Sequence, residues 1–163
     1  MQNYEWADEA ETNEELKARL PPGVWQDEPD KLVWRSKEHS LPMMIVRSPS
    51  TGALCGYVGV PPGHRFHKAD YSEVDDVEVH GGLTYANECS GHICHKHKDS
   101  EPEVWWLGFD CAHSGDYTPL MPPYLGLSLF GEDTTLGGGD DYCTVAYVKA
   151  ETERLAAQLA SAS

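Results

Sequence analysis

Met43-Met-Ile-Val-Arg-Ser-Pro-Ser-Thr-Gly-Ala-Leu-Cys-Gly-Tyr-Val-Gly-Val60 is the stretch that decides the fold. Its outer parts, Met43–Arg47 and Ala53–Val60, are apolar runs of strand length. Between them, Ser48-Pro-Ser-Thr-Gly52 has the composition of a turn, because Pro sets φ and Gly tolerates positive φ. Two such runs joined so closely predict an antiparallel hairpin. Working outward, Lys31–Arg35 reads as a further short β segment. Val77–His80 reads as a short strand that stops at His80-Gly81-Gly82, and Val104–Asp110 as a strand rich in aromatic residues.

The ends of the chain are helical in pattern. Thr12-Asn-Glu-Glu15 has the spacing of a capping box, with Thr12 as cap and a helix running to about Leu20. Pro21-Pro22-Gly23 then stops it. Residues 1–11 are acidic and weakly patterned, so fraying is expected there. A second helix over about Thr144–Ala160 places Val148, Leu155 and Leu159 on one face. Residues 86–102 read as a Cys/His-rich loop. Gly115–Asp141, with three Pro and six Gly, reads as a long connection. The expectation is one α+β domain over residues 1–163. It has a small, mostly antiparallel sheet, a short N-terminal helix, a C-terminal amphipathic helix and long Gly/Pro-rich loops.

Composition narrows the function. Among 163 residues, 12 Lys+Arg stand against 27 Asp+Glu, a formal net charge of -15. That balance argues against direct nucleic-acid binding, which draws on basic residues at the phosphates. It also disfavours an anionic membrane surface. No apolar run approaches the roughly 18 residues of a membrane span. The opening residues lack a cationic and apolar leader, so a cytoplasmic setting is expected. There the five cysteines are expected as thiols or metal ligands rather than disulfides.

Seven of the eight His and four of the five Cys fall between Cys55 and His113. Three groups stand out in this stretch. Cys89, Cys94, His95 and His97 offer the thiolates and imidazoles that zinc prefers, for a site that would tether the polar loop. His80, Asp110, His113 and Asp116 lie where two apolar strands end. A carboxylate beside an imidazole suits general acid/base chemistry, or the set could hold a hydrolytic metal. Thr84 and Tyr85, just past Gly81 and Gly82, are candidate ligand contacts. His64 and Arg65, after Pro61-Pro62-Gly63, form a small cationic group suited to an anionic moiety, and Trp106 could stack on a base. Phosphate loops, Gly-x-Gly-x-x-Gly, His-Glu-x-x-His and Gly-x-Ser-x-Gly are all absent.

Cys55-Gly-Tyr-Val-Gly-Val-Pro-Pro-Gly-His64, Val79-His-Gly-Gly-Leu-Thr-Tyr85, Trp105-Trp-x-Gly-Phe-Asp-Cys-Ala-His113 and Tyr147-Val-Lys-Ala-Glu-Thr-Glu-Arg-Leu-Ala156 occur in this order. Together they resemble a family of uncharacterised proteins encoded by bacteriophages, prophages and actinobacteria. The resemblance implies a small accessory protein inside a host cell, with a counter-defence role. It transfers no activity.

The expected function is a His/Asp pocket that hydrolyses or binds a nucleotide-like small molecule. As an enzyme it would be a metal-assisted or His-dependent hydrolase of phosphodiesterase type, with zinc as cofactor. The alternative is a non-catalytic acidic inhibitor that imitates nucleic acid and binds a host protein.

Overall fold

The computed structural model describes residues 4–75, 77–91, 93–95, 103–113, 116–120 and 142–162. Among the described residues, six strands and two α-helices follow one another as β1 (Glu9–Glu11), α1 (Glu14–Arg19), β2 (Lys31–Arg35), β3 (Pro42–Arg47), β4 (Leu54–Val60), β5 (Tyr85–Asn87), β6 (Trp105–Asp110) and α2 (Val145–Ala162). The strands form one antiparallel sheet in the order β1-β2-β3-β4-β6-β5. The fold is therefore α+β, with the β3–β4 hairpin at its centre. Arg47 pairs with Leu54 across the turn, which Gly52 closes at φ +78° with its amide bonded to the Ser48 carbonyl.

Period-two alternation gives the sheet two apolar faces. Leu32, Trp34, Ile45, Leu54, Val58, Leu107 and Phe109 face α2, which contributes Val148, Leu155, Ala156 and Leu159. Leu155 and Leu159 are fully buried, each worth about 2 kcal/mol by apolar burial. Gly56 sets how close helix and sheet come: a Cβ there would stand 2.3 Å from Thr152 Oγ1 and 2.6 Å from the Phe109 ring.

The opposite face carries Val33, Met44, Val46, Cys55, Tyr57 and Trp106, with Tyr85, Ile93 and Val104 packed against them. Gly108 makes room for the Tyr57 ring, which would lie 2.3 Å from an added Cβ. No helix covers this side among the described residues. Ile93 does part of that work, and the loop reaches on to the far edge of the sheet. There Lys31 Nζ donates to the Cys94 carbonyl at 3.3 Å, and His95 Nε2 lies 3.6 Å from Glu9 Oε2. The polar loop read from the sequence thus carries an apolar residue onto the sheet.

Four local expectations change. The first residues do not fray as a block: Glu9–Glu11 pairs with β2, and Trp6 meets Trp34 edge-on at 5.0 Å. The cap of α1 is Asn13 rather than Thr12, since Asn13 Oδ1 accepts from the Leu16 amide while Asp30 holds the Asn13 amide. Val77–His80 is not a strand. Its amides go to side chains of α2, Glu78 N to Gln158 Oε1 at 2.7 Å and His80 N to Glu151 Oε1 at 2.8 Å. A short strand instead appears at Tyr85–Asn87, inside what reads as the start of a loop.

A buried charge network fixes the start of α2. Lys17 and Arg47 share Asp30 Oδ1, each at 2.7 Å. Arg47 also donates to Tyr142 Oη and the Gly52 carbonyl, both at 2.8 Å, and Tyr142 in turn donates to Glu28. Glu28 Oε2 accepts from the Val145 amide at 2.8 Å, in the first turn of the helix. The tie holds Cys143 in place, two residues before α2 begins.

Candidate metal centre

The centre forms where three pieces of chain meet: the turn after Val79, the turn after β6, and the approach to α2. His80 is aimed by its backbone, whose amide is held by Glu151. Arg154 bonds to Glu151 and holds that carboxyl below its ordinary range, with the His80 amide adding to the effect. The next two residues turn at positive φ, +68° at Gly81 and +81° at Gly82. Gly81 is needed for a second reason: a Cβ there would lie 2.4 Å from His113 Cε1, so the imidazole rests on bare backbone.

After β6 the chain folds on its own carboxylates. Asp110 Oδ1 accepts from the Ala112 amide at 3.2 Å, and Asp116 Oδ2 from the His113 amide at 3.0 Å. The two imidazoles stand 6.2 Å apart between ring centres. His80 Nε2 is 2.9 Å from both Asp116 oxygens, and its Nδ1 is 2.8 Å from Tyr147 Oη. His113 Nδ1 lies 3.2 Å from Asp110 Oδ1 and 3.8 Å from Asp116 Oδ2. The rings are 22% and 33% exposed, so the cluster opens to solvent rather than being sealed in the core.

Two thiols complete it. Cys143 Sγ is 3.7 Å from Asp116 Oδ1 and 3.9 Å from His80 Nε2. The neighbouring Cys143 thiol and burial together push the Cys111 thiol well above the ordinary range. His80, Cys111 and Cys143 offer ligand atoms all within 4.8 Å of one another, and so do His80, His113 and Asp116. The described residues therefore include a His/Cys/Asp cluster able to hold a metal ion, with His80 common to both sets.

The sequence-predicted residues divide. His80, Asp110, His113 and Asp116 come together, and Thr84 joins them by donating to Asp110 Oδ2 at 3.1 Å. Tyr85 does not. Its ring packs edge-on against Tyr57 at 5.2 Å, in the cluster on the sheet face away from α2. Trp106 is fully buried in that same cluster, so no base can stack on it. His64 is also no phosphate ligand: Nε2 is spent on the Leu159 carbonyl at 2.7 Å, and Nδ1 accepts from the Phe66 amide. Arg65 lies over the Phe66 ring. Leu159 is twelve residues beyond Tyr147 on α2, so the His64 group is about 18 Å along the helix from the cluster.

The loop metal site is corrected as well. Cys89 and Cys94 are joined as a disulfide, against the expectation of free thiols, so neither offers a thiolate in this state. His95 is engaged with Glu9, and His97 lies outside the described residues. Sequence reasoning missed Cys111, Cys143, Tyr147 and Glu151. Cys111 and Cys143 are 32 positions apart, with no spacing rule to link them. The one available signal was Cys111-x-His113 directly after an apolar strand.

No helix among the described residues is long and apolar enough to cross a membrane. Compared with known proteins, the chain matches no family model, no curated protein and no solved structure.

Proposed function

We propose that the cluster is a zinc-dependent hydrolytic centre acting on a nucleotide-like small molecule. The observation behind this reading is the convergence of imidazole, carboxylate and thiol donors at a partly exposed rim. Imidazole with thiolate is a donor set that suits zinc and poorly suits magnesium or calcium. His80, Cys111 and Cys143 would hold the ion, with Asp116 or His113 beside them. Tyr147 supports this by meeting His80 Nδ1. With an ion in place of the proton between His80 Nε2 and Asp116, the ring N–H at Nδ1 would donate to the phenol oxygen and Nε2 would ligate.

Zinc bound in such a set supplies Lewis acidity and a water of lowered pKa. The chain's own groups would do the rest. His113, whose Nδ1 lies 3.2 Å from Asp110 Oδ1, would move a proton between attacking and leaving groups. Gly81 and Gly82 would let a substrate approach the backbone. The setting implied by the motif resemblance, an accessory role in a phage-infected cell, remains part of this proposal.

The test is zinc content of the purified full chain before and after chelation, with hydrolysis of linear and cyclic nucleotides followed in parallel. One bound zinc, lost in His80→Ala and in Cys143→Ala together with any turnover, is expected. A metal-free protein that takes up no zinc when it is supplied refutes the proposal.

A further inference from the structure

Resting on that metal centre, we infer that the substrate presents an uncharged carbon electrophile to it, such as an amide or the ring amidine of a neutral nucleobase, and not a phosphate. The ground is local charge. Asp110, Asp116 and Glu151 surround the two imidazoles, and among the described residues the cation in contact with this group is Arg154, already paired with Glu151 at 3.0 Å. Lys17 and Arg47 are sealed in the buried network, and Lys149 lies over Trp6 and pairs with Glu153.

A divalent ion does not reverse this balance. Metal ligation requires deprotonated sulfur, so Cys111 and Cys143 together cancel its two charges. Asp116 and Asp110 then leave the loaded site negative. Residues 121–141, which lead to Cys143, contain Glu132, Asp133, Asp140 and Asp141 but no Lys or Arg, so they add no cation. A phosphate dianion would meet like charge in a partly desolvated place.

For an uncharged amide or amidine the reaction balances with water alone. The water oxygen bonds to the carbon, the carbon–nitrogen bond breaks, and the water proton leaves on the amine by way of His113 or Asp116. A nucleotide-like substrate would accordingly react at its base rather than at its phosphate.

Cobalt(II) added to the full chain at pH 8 tests this through the thiolate-to-cobalt charge-transfer band. Imidazole and inorganic phosphate are then titrated against the band, each normalised to its affinity for the aqueous ion. Imidazole is expected to act at about tenfold lower concentration than phosphate, and Asp110→Asn to narrow that gap severalfold. Phosphate binding as well as imidazole overturns the inference, and so does a gap that Asp110→Asn leaves unchanged. Absence of the charge-transfer band before any titrant is added is a different failure: it removes the metal centre itself, and this inference with it.

Discussion

Gly81→Ala isolates the geometry of the cluster without touching any of its donors. The added methyl would stand 2.4 Å from His113 Cε1 and 2.5 Å from Nδ1, well inside contact distance, so the ring must move by roughly 1 Å. The backbone adds a second cost, since φ is +68° there and an L-residue in that region loses about 1–2 kcal/mol. Gly82→Ala is the matched control. Its φ is +81°, so the strain is shared, but nothing lies within 4 Å of its added methyl. Both variants should therefore lose about 1–2 kcal/mol, a fall in Tm of about 2–8 °C for a chain of this size. Only Gly81→Ala should also weaken zinc binding, by about tenfold to a hundredfold, the usual effect of disturbing groups around a metal. Thermal unfolding of the apo proteins reads the first term, and competition with a chromophoric zinc chelator reads the second. Equal zinc affinity in the two variants would refute the idea that the His113 ring, seated on bare backbone, belongs to the site.

Three further outcomes follow from the packing and charges. Arg47→Met should cost about 3–5 kcal/mol in chemical denaturation, because it strands Asp30 and Glu28 in a buried place; a loss under about 1 kcal/mol would mean the network is incidental. Gly56→Ala should cost about 1–3 kcal/mol by pressing on Thr152 and Phe109; unchanged stability in the same assay would contradict the close helix–sheet approach. Glu151 has a folded pKa lowered from 4.5, so its contribution is present above that value and fades as pH falls through the lower folded one. Hydrogen exchange at the His80 amide should show acid opening in that window, and Glu151→Gln should abolish the pH dependence; an identical profile in both proteins counts against the contact.

Local pattern made much of the architecture legible. The β3–β4 hairpin follows from two apolar runs around a Pro/Gly turn, and α2 from the spacing of Val148, Leu155 and Leu159. The end of β6 also marked a rim, because side chains just past an apolar run emerge there, and this made Asp110, His113 and Asp116 readable. His80 was read as the end of a strand that does not form, and it joins them through its amide bond to Glu151 and its contact with Asp116.

Other features depended on contacts between distant parts of the chain. Trp106 was read as able to stack on a base, but period-two alternation along β6 does not say which face α2 covers, and Trp106 lies buried on the other. His64 looked available beside Arg65 until the Leu159 carbonyl took its ring. Lys17, Asp30 and Arg47 look like ordinary surface charges in sequence, yet they are buried, because each supplies the partner that makes the others' burial tolerable. Cys143 joins Cys111 and His80 only because Glu28 anchors the first turn of α2 against the sheet. Sequence by itself determined β2, β3, β4 and β6, the hairpin turn and α2, since backbone preference and hydrophobic period act over a few residues. Tertiary structure decided which thiols meet which imidazoles, since ligand distances depend on how separate elements pack.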